Sequence, residues 1–166
     1  LNSKETYEYI RNLALKGRIQ AVRGDLKGPI TVKSIAEQAK KMGIVFRIIY
    51  YSNAEEYFPL ADDFRSNWTS IPVDEKSLIV RTVSVYRNQY PWAPGSELST
   101  DRGFHYFLEN AANYQKWLKE GKAGLRVENI VATGETDKKN GITIIKADTP
   151  IPDAMKAAKP APETES

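Results

Sequence analysis

The chain has 166 residues, a net charge of +3, 41% hydrophobic residues and 27% charged residues. This is a soluble globular composition of single-domain size, and it excludes a disordered chain, a collagen-like chain and a membrane bundle. No apolar run approaches the roughly 20 residues of a membrane helix, and the absence of cysteine removes disulfides, thiolate catalysis and Cys-ligated metals.

The first element is a helix over Glu5 to Lys16, with Tyr7, Ile10 and Leu13 on one side and Gly17 as its stop. Ile19–Val22 reads as a strand, ending at Arg23–Gly24–Asp25. Gly28–Pro29 opens a second helix that runs to about Lys41, its apolar face formed by Ile35, Ala36, Ala39 and Met42. Gly43 ends it. Ile44–Tyr51 is a nearly unbroken apolar run, the pattern of a strand buried on both faces of a parallel sheet. Replacing Ile48 with Asp is therefore expected to unfold the domain.

Short helical segments follow at Ala54 to Phe58 and Asp62 to Asn67, then a strand at Leu78–Val85. Tyr86 to Thr100 carries Pro91, Pro94 and Gly95 and reads as a long loop. Phe104 to Lys119 reads as an amphipathic helix. Asn129–Thr133 and Ile142–Ala147 read as strands of an antiparallel hairpin across the polar connector Gly134–Gly141. The expected organisation is one α/β domain over residues 1–148 and a flexible Pro/Ala-rich tail over residues 149–166. Repeated strand–helix–strand order implies a three-layer α/β sandwich with a mostly parallel sheet and a late antiparallel hairpin.

Ligands of open α/β sheets bind beyond the carboxyl ends of the strands, which selects Asp25 with Leu26, and Ser52 with Asn53. Asp25 either accepts a hydrogen bond from a ligand or is a turn residue. Ser52 and Asn53 either face a cleft or cap the helix through Glu55 and Glu56. Arg47 and Arg81 lie inside strands, where a solvated edge position is favoured over a buried pairing with a carboxylate. His105 is the only histidine, has no partner motif, and reads as structural. A metal site is not expected.

The stretch Tyr86–Arg87–Asn88–Gln89–Tyr90–Pro91–Trp92 interleaves aromatics with a base and amides, but packing over the sheet explains it better than nucleic-acid binding. Asn67–Trp68–Thr69 has the form of a glycosylation sequon. The sequence contains no G-x-G-x-x-G, no Walker-type loop and no G-x-S-x-G elbow. A soluble, cytoplasmic chain with protein partners is the expectation, and the sequence names no partner.

Three segments in order, Gly17–Leu26, Tyr50–Phe58 with its Tyr–Ser–Asn–Ala–Glu core, and Leu78–Thr82, resemble the later part of a poorly characterised bacterial family. That family has a Rossmann-like fold of the S-adenosylmethionine-dependent methyltransferase type. The resemblance covers about residues 1–120. It implies that Ile19–Val22 and Ile44–Tyr51 are the third and fourth strands of a methyltransferase sheet. It also implies that Asp25, with Leu26, reads the adenine amino group of S-adenosylmethionine, and that Ser52 and Asn53 contact cofactor or substrate. The glycine-rich loop and first strands of such a sheet would precede Leu1. The activity expected is thus a methyltransferase-like one that depends on an N-terminal half. The alternative is a non-enzymatic binding or assembly module that retains the fold.

Overall fold

The computed structural model describes residues 3–84, 104–137, 139–140 and 142–158. The loop expected at Tyr86 to Thr100, with its aromatic stretch, lies outside the described residues, as do residues 159–166.

Helix α1, Lys4–Leu15, is capped by Ser3, whose hydroxyl accepts from the Thr6 amide at 3.1 Å. It ends where Gly17 takes a left-handed φ of 64°. No residue of α1 is buried. Residues 18–25 then run extended and exposed, without strand pairing. The strand expected at Ile19–Val22 is therefore not formed. A strand needs a hydrogen-bonded neighbour, and the strand beside it in the expected order takes its neighbour from elsewhere.

Helix α2, Thr31–Lys41, buries Val32, Ala36 and Ala39. Strand β1, Ile48–Ser52, is shorter than the expected run, and Ile44–Arg47 approach it as irregular chain. A 3-10 turn, Ala54–Tyr57, and helix α3, Asp62–Ser70, follow as expected. Strand β2 is Leu78–Ser84. The segment read as one helix from Phe104 divides into strand β3, Phe104–Asn110, and helix α4, Ala111–Glu120. Asn110 is the break, because its side chain accepts from the Asn113 amide at 3.0 Å and caps α4.

The strand expected at Asn129–Thr133 is instead part of a short helix, α5, Val127–Val131, whose Val127, Ile130 and Val131 face inward at helical spacing. The antiparallel hairpin exists with its first strand displaced, as β4, Glu135–Asp137, against β5, Ile142–Ile145.

The strand order is β1-β2-β3-β5-β4. β1 with β2 and β3 with β5 are parallel, while β2 with β3 and β4 with β5 are antiparallel. The fold is α/β, but its sheet is evenly mixed rather than mostly parallel. β1, expected at the buried centre, lies at the edge, and Ile48 is 65% exposed.

One sheet face packs on the helices. Tyr51, Ile79 and Ile145 meet Phe64 of α3, Tyr114, Trp117 and Leu118 of α4 and Ile130 of α5, while Val83 and Phe107 meet Val127 and Val131. Val32 and Ala36 join α2 to this layer through Ile71, with Phe46, Ile49 and Trp68 against them. No described helix covers the opposite face, so the described residues form two layers rather than three.

The tail is docked at least as far as its second 3-10 turn, Asp153–Met155. Ile151 and Met155 are buried, the Lys122 amide donates to the Met155 carbonyl at 2.8 Å, and the Ala157 amide donates to the Glu120 carbonyl at 2.9 Å. Two large apolar groups suffice to anchor a proline-rich stretch that the composition presented as loose.

Two outcomes test this arrangement. Ile48→Asp is expected to leave stability within about 1 kcal/mol of wild type, as at an exposed edge, whereas Ile79→Asp unfolds the domain because its charge would be buried without a partner. Urea unfolding followed by circular dichroism checks both. Truncation after Pro150 removes Ile151 and Met155, groups whose loss costs about 2–5 kcal/mol each in well-packed sites. Its thermal midpoint is expected to fall by at least about 5 °C, at about 2–4 °C per kcal/mol for a domain of this size.

Candidate functional site: a buried charge cluster and the open sheet face

Arg81 sits on the helix-facing side of β2 and is 1% exposed, so the solvated edge position expected for it is not the one it takes. Its Nε lies 2.8 Å from Glu55 Oε2, an ion-pair contact, and its Nη1 donates to Glu109 Oε2 at 2.7 Å. Tyr114 donates its hydroxyl to Glu55 Oε1 at 2.5 Å. The guanidinium lies 4.8 Å from the Tyr114 ring centroid and 5.9 Å from that of Tyr51. Glu55 comes from the 3-10 turn after β1, Glu109 from β3 and Tyr114 from α4, so one cation joins four elements.

Two carboxylates facing one guanidinium leave the cluster one proton short of neutrality. Burial pushes the Glu109 carboxyl up to about 7; Arg81 opposes that rise and Glu55 adds to it. Burial disfavours the Arg81 cation, but Glu55 and Glu109 more than offset it and hold its pKa above the usual value. Burial, reinforced by Glu55, raises the Tyr51 and Tyr114 phenols. The Tyr51 hydroxyl, Arg81 Nη2 and Glu109 Oε1 have no hydrogen-bond partner among the described residues. Glu109 can hold and release a proton near neutrality, yet every member of the cluster is buried and none meets solvent. The cluster is a clamp on the fold and offers a substrate no access.

Arg47 is the solvated arginine expected, and it pairs with Asp74. His105, read as the start of a helix, stands on β3 and is structural: its Nε2 lies 2.8 Å from Thr143 Oγ1, itself 2.8 Å from Thr136 Oγ1. Burial lowers the His105 pKa. Asn67 is fully buried and donates to the carbonyls of Leu26 and Gly28 at 3.0 and 2.7 Å, so the sequon does not present an accessible acceptor.

Of the residues selected at strand ends, Asp25 accepts from the Lys27 amide at 2.9 Å, the turn geometry given above as one of its readings. The Leu26 carbonyl is tied to α3 through Asn67. Ser52 has a left-handed φ of 53° at a bulge in the β1–β2 pairing, and Asn53 donates to the Tyr57 hydroxyl at 3.1 Å without capping the 3-10 turn. No hydrogen bond among the described residues joins the Asp25 pair to the Ser52 pair. The two segments meet through Lys27, whose ammonium lies 5.5 Å from the Phe58 ring centroid. Because Ile19–Val22 forms no strand, the parallel pair that was to align Asp25 with Asn53 is absent. Among the described residues no three His, Cys, Asp or Glu side chains are grouped to hold a metal, and no helix is long and apolar enough to cross a membrane.

The alternating strand positions that do not carry the cluster form the open face. Tyr50, Val80, Leu108 and Ile144 are register partners across four strands, and Tyr106 and Ile142 form part of the next row. Tyr50 is 58% exposed, Phe104 55% and Tyr106 50%. At the 150–250 Å² that a large aromatic carries, these three alone expose on the order of 300 Å². With Ile48, Leu78 and Ile144, also exposed, the patch reaches the range in which a contiguous apolar surface marks an interaction site. Sequence reading missed both features. A charge on the inward phase of a strand was the available signal for the cluster, and the apolar residues on the other phase were the signal for the open face.

The cluster has a pH signature. Folded Glu109 binds its proton more tightly than in the unfolded chain, where it titrates near 4.5. Its contribution to stability is therefore full below about pH 4.5 and is lost as pH rises through about 7. His105 acts with the opposite sign, since its lowered pKa gives stability above pH 6.5 that is lost on acidification. The comparison that isolates Glu109 is wild type against Glu109→Gln. Between pH 5 and 7.5 wild type is expected to lose on the order of 2 kcal/mol relative to the variant, measured by urea unfolding at both pH values.

No curated protein matches this sequence. The chain belongs to the family described as Domain of unknown function (DUF7790), whose match covers residues 1–146.

Proposed function

We propose that this chain is a non-enzymatic binding or assembly module whose working surface is the open face of the sheet. The observation that carries the reading is the unbroken apolar row Tyr50–Val80–Leu108–Ile144 beside exposed Phe104 and Tyr106. Water-exposed aromatics on two strands, in an apolar face that spans four, are stabilised when a second surface removes them from solvent. The clamp behind them favours the same reading: Arg81 and Glu109 tie β2 to β3 and stiffen the face they present. Surfaces that change little on binding lose less entropy when they dock.

A methyltransferase-like activity is the second reading, and one arrangement favours it. Ser52 holds a left-handed conformation at the end of β1, and Lys27 brings the Asp25 loop to Phe58, six residues further along the chain. The Rossmann-like sheet of that reading would need a neighbour for Ile19–Val22. Its test is calorimetric titration with S-adenosylmethionine, in which heat that Asp25→Ala diminishes would favour it over the binding-module reading.

Site-specific photo-crosslinking tests the module. A benzophenone side chain at Tyr106 or Ile144, in the chain expressed in its native source, is expected to capture one and the same species. The same group at Lys116, an exposed position of α4, is expected to capture none of it. Equal capture at all three positions, or none at the first two, overturns the proposal.

A further inference from the structure

A second apolar surface, independent of the open face as a functional reading, lies between α2 and the extended segment 18–26. A cavity of about 260 Å³ is walled there by Val22, Leu26, Val32, Ile35, Phe46 and Trp68, with Thr31 supplying a hydroxyl. It shares Val22, Thr31, Ile35 and Phe46 with a shallower groove of about 910 Å³. That groove carries Arg18 and Arg23 together with Gln20, Ser34 and Gln38.

The extended segment is seated rather than merely adjacent. A Cβ at Gly24 would overlap the Thr31 side chain, so only glycine lets the chain pass this close to the start of α2. Asn67 holds the far end of the segment through the Leu26 and Gly28 carbonyls. The recess is thus bounded on one side by a helix and on the other by a strip of chain fixed at two points.

Its chemistry is divided. The inner cavity is apolar apart from Thr31 and the Trp68 indole, whose buried N–H has no acceptor among the described residues. The outer groove is also largely apolar, through Ile30, Met42 and Ile44, but it carries two cations: Arg18 and Arg23 are exposed and have no carboxylate partner among the described residues. A half-open apolar recess continued by a groove that carries two arginines fits a flexible hydrocarbon ending in an anion. A cavity of about 260 Å³ has room for a chain of medium length.

We propose that this recess binds a single medium-chain acyl carboxylate, its hydrocarbon against Ile35, Phe46 and Trp68 and its carboxylate between Arg18 and Arg23. The same chemistry could be supplied by a free fatty acid or by an anionic lipid in a bilayer, and a recess set between α2 and segment 18–26 favours the free acid. A bilayer surface needs no cavity, whereas a single chain fills one.

The test is titration of the protein with decanoate below its micellar concentration, read by calorimetry and by the emission of Trp68 against a Trp68→Phe control. Saturable binding of one decanoate per chain is expected. Arg18→Ala combined with Arg23→Ala should weaken decanoate about tenfold or more, the loss of one to two charge-assisted hydrogen bonds, and leave decanol unchanged. Ile35→Trp should fill the cavity and abolish binding of both. Val22→Trp, at an exposed position of the strip, provides a second filler should the first variant fail to fold. Non-saturable uptake, an undiminished affinity in a folded filler variant, or equal weakening of decanoate and decanol in the arginine variant overturns the proposal. Co-flotation with phosphatidylglycerol vesicles, in a protein that shows no heat with decanoate, overturns it in favour of a membrane surface.

Discussion

The ion pairs of Arg81 are the constraint around which this fold is arranged. A guanidinium removed from water costs several kcal/mol unless anions and hydrogen bonds surround it. Here the anions come from the turn after β1 and from β3, and a phenol on α4 holds one of them in place. None of the three can move without leaving Arg81 or a carboxylate buried and unpaired. The cluster therefore defines which way β2 and β3 face, and it fixes α4 and the 3-10 turn against them. Its worth as stabilisation is modest, since apolar residues of the same volume often do as well. Its worth as a specifier of register is larger: a one-residue slip of β2 would place Arg81 on the opposite face and strand both glutamates.

That orientation has a consequence on the other side of the sheet. With Ile79, Arg81, Val83, His105, Phe107 and Glu109 turned toward the helices, the alternate residues Val80, Tyr106 and Leu108 must turn away. An antiparallel pair with one solvated face normally alternates apolar with polar residues. Here the outward phase is aromatic and aliphatic along Tyr50, Val80, Leu108 and Ile144, with Thr82 beside Tyr106 and with Glu135 and Asp137 at the β4 edge, while the clamp and the His105–Thr143–Thr136 chain absorb polar residues on the inward phase. Buried charges thus lie behind an outer face whose own charges, Glu135 and Asp137, stand on its β4 edge.

Local signals were legible where one period dominated. α1, α2, α3 and β2 carry clean helical or strand patterns and lie close to their expected positions. Phe104–Glu120 was misread because Phe104, Phe107, Leu108 and Ala111 fit a helical stripe, while Phe-His-Tyr-Phe also alternates as a strand. Pairing with β2 decides between the two, and pairing is not local. Val127–Val131 was misread in the other direction: its β-branched residues favour a strand, but burial of Val127, Ile130 and Val131 against the core selects the helix. The cluster was within reach of sequence reading. Arg81 and Glu109 each interrupt an apolar run on the inward phase, and two opposite charges in that position imply a buried pair. Glu55 was not, because nothing local distinguishes it from Glu56.

The recess and the open face have a common origin in β1. As an edge strand it has one paired neighbour, β2, and its other side is left to α2 and the extended segment 18–26. Had Ile19–Val22 paired with it, the gap beside α2 would close and the cavity would be core. Because the segment lies over α2 without backbone pairing, a space remains that side chains alone must fill, and the apolar groups there leave about 260 Å³ unfilled. Ile48 belongs to both surfaces, lining the cavity while standing 65% exposed beside Leu78 on the outer face. Edge strands are usually protected by charge, proline or a covering element. β1 carries no charge or proline in Ile48–Ser52 and relies on the bulge at Ser52 and on the strip pinned by Gly24 and Asn67. The same strip that protects this edge thus encloses the cavity, and its seat on Thr31 decides whether β1 presents a closed recess or an open strand edge.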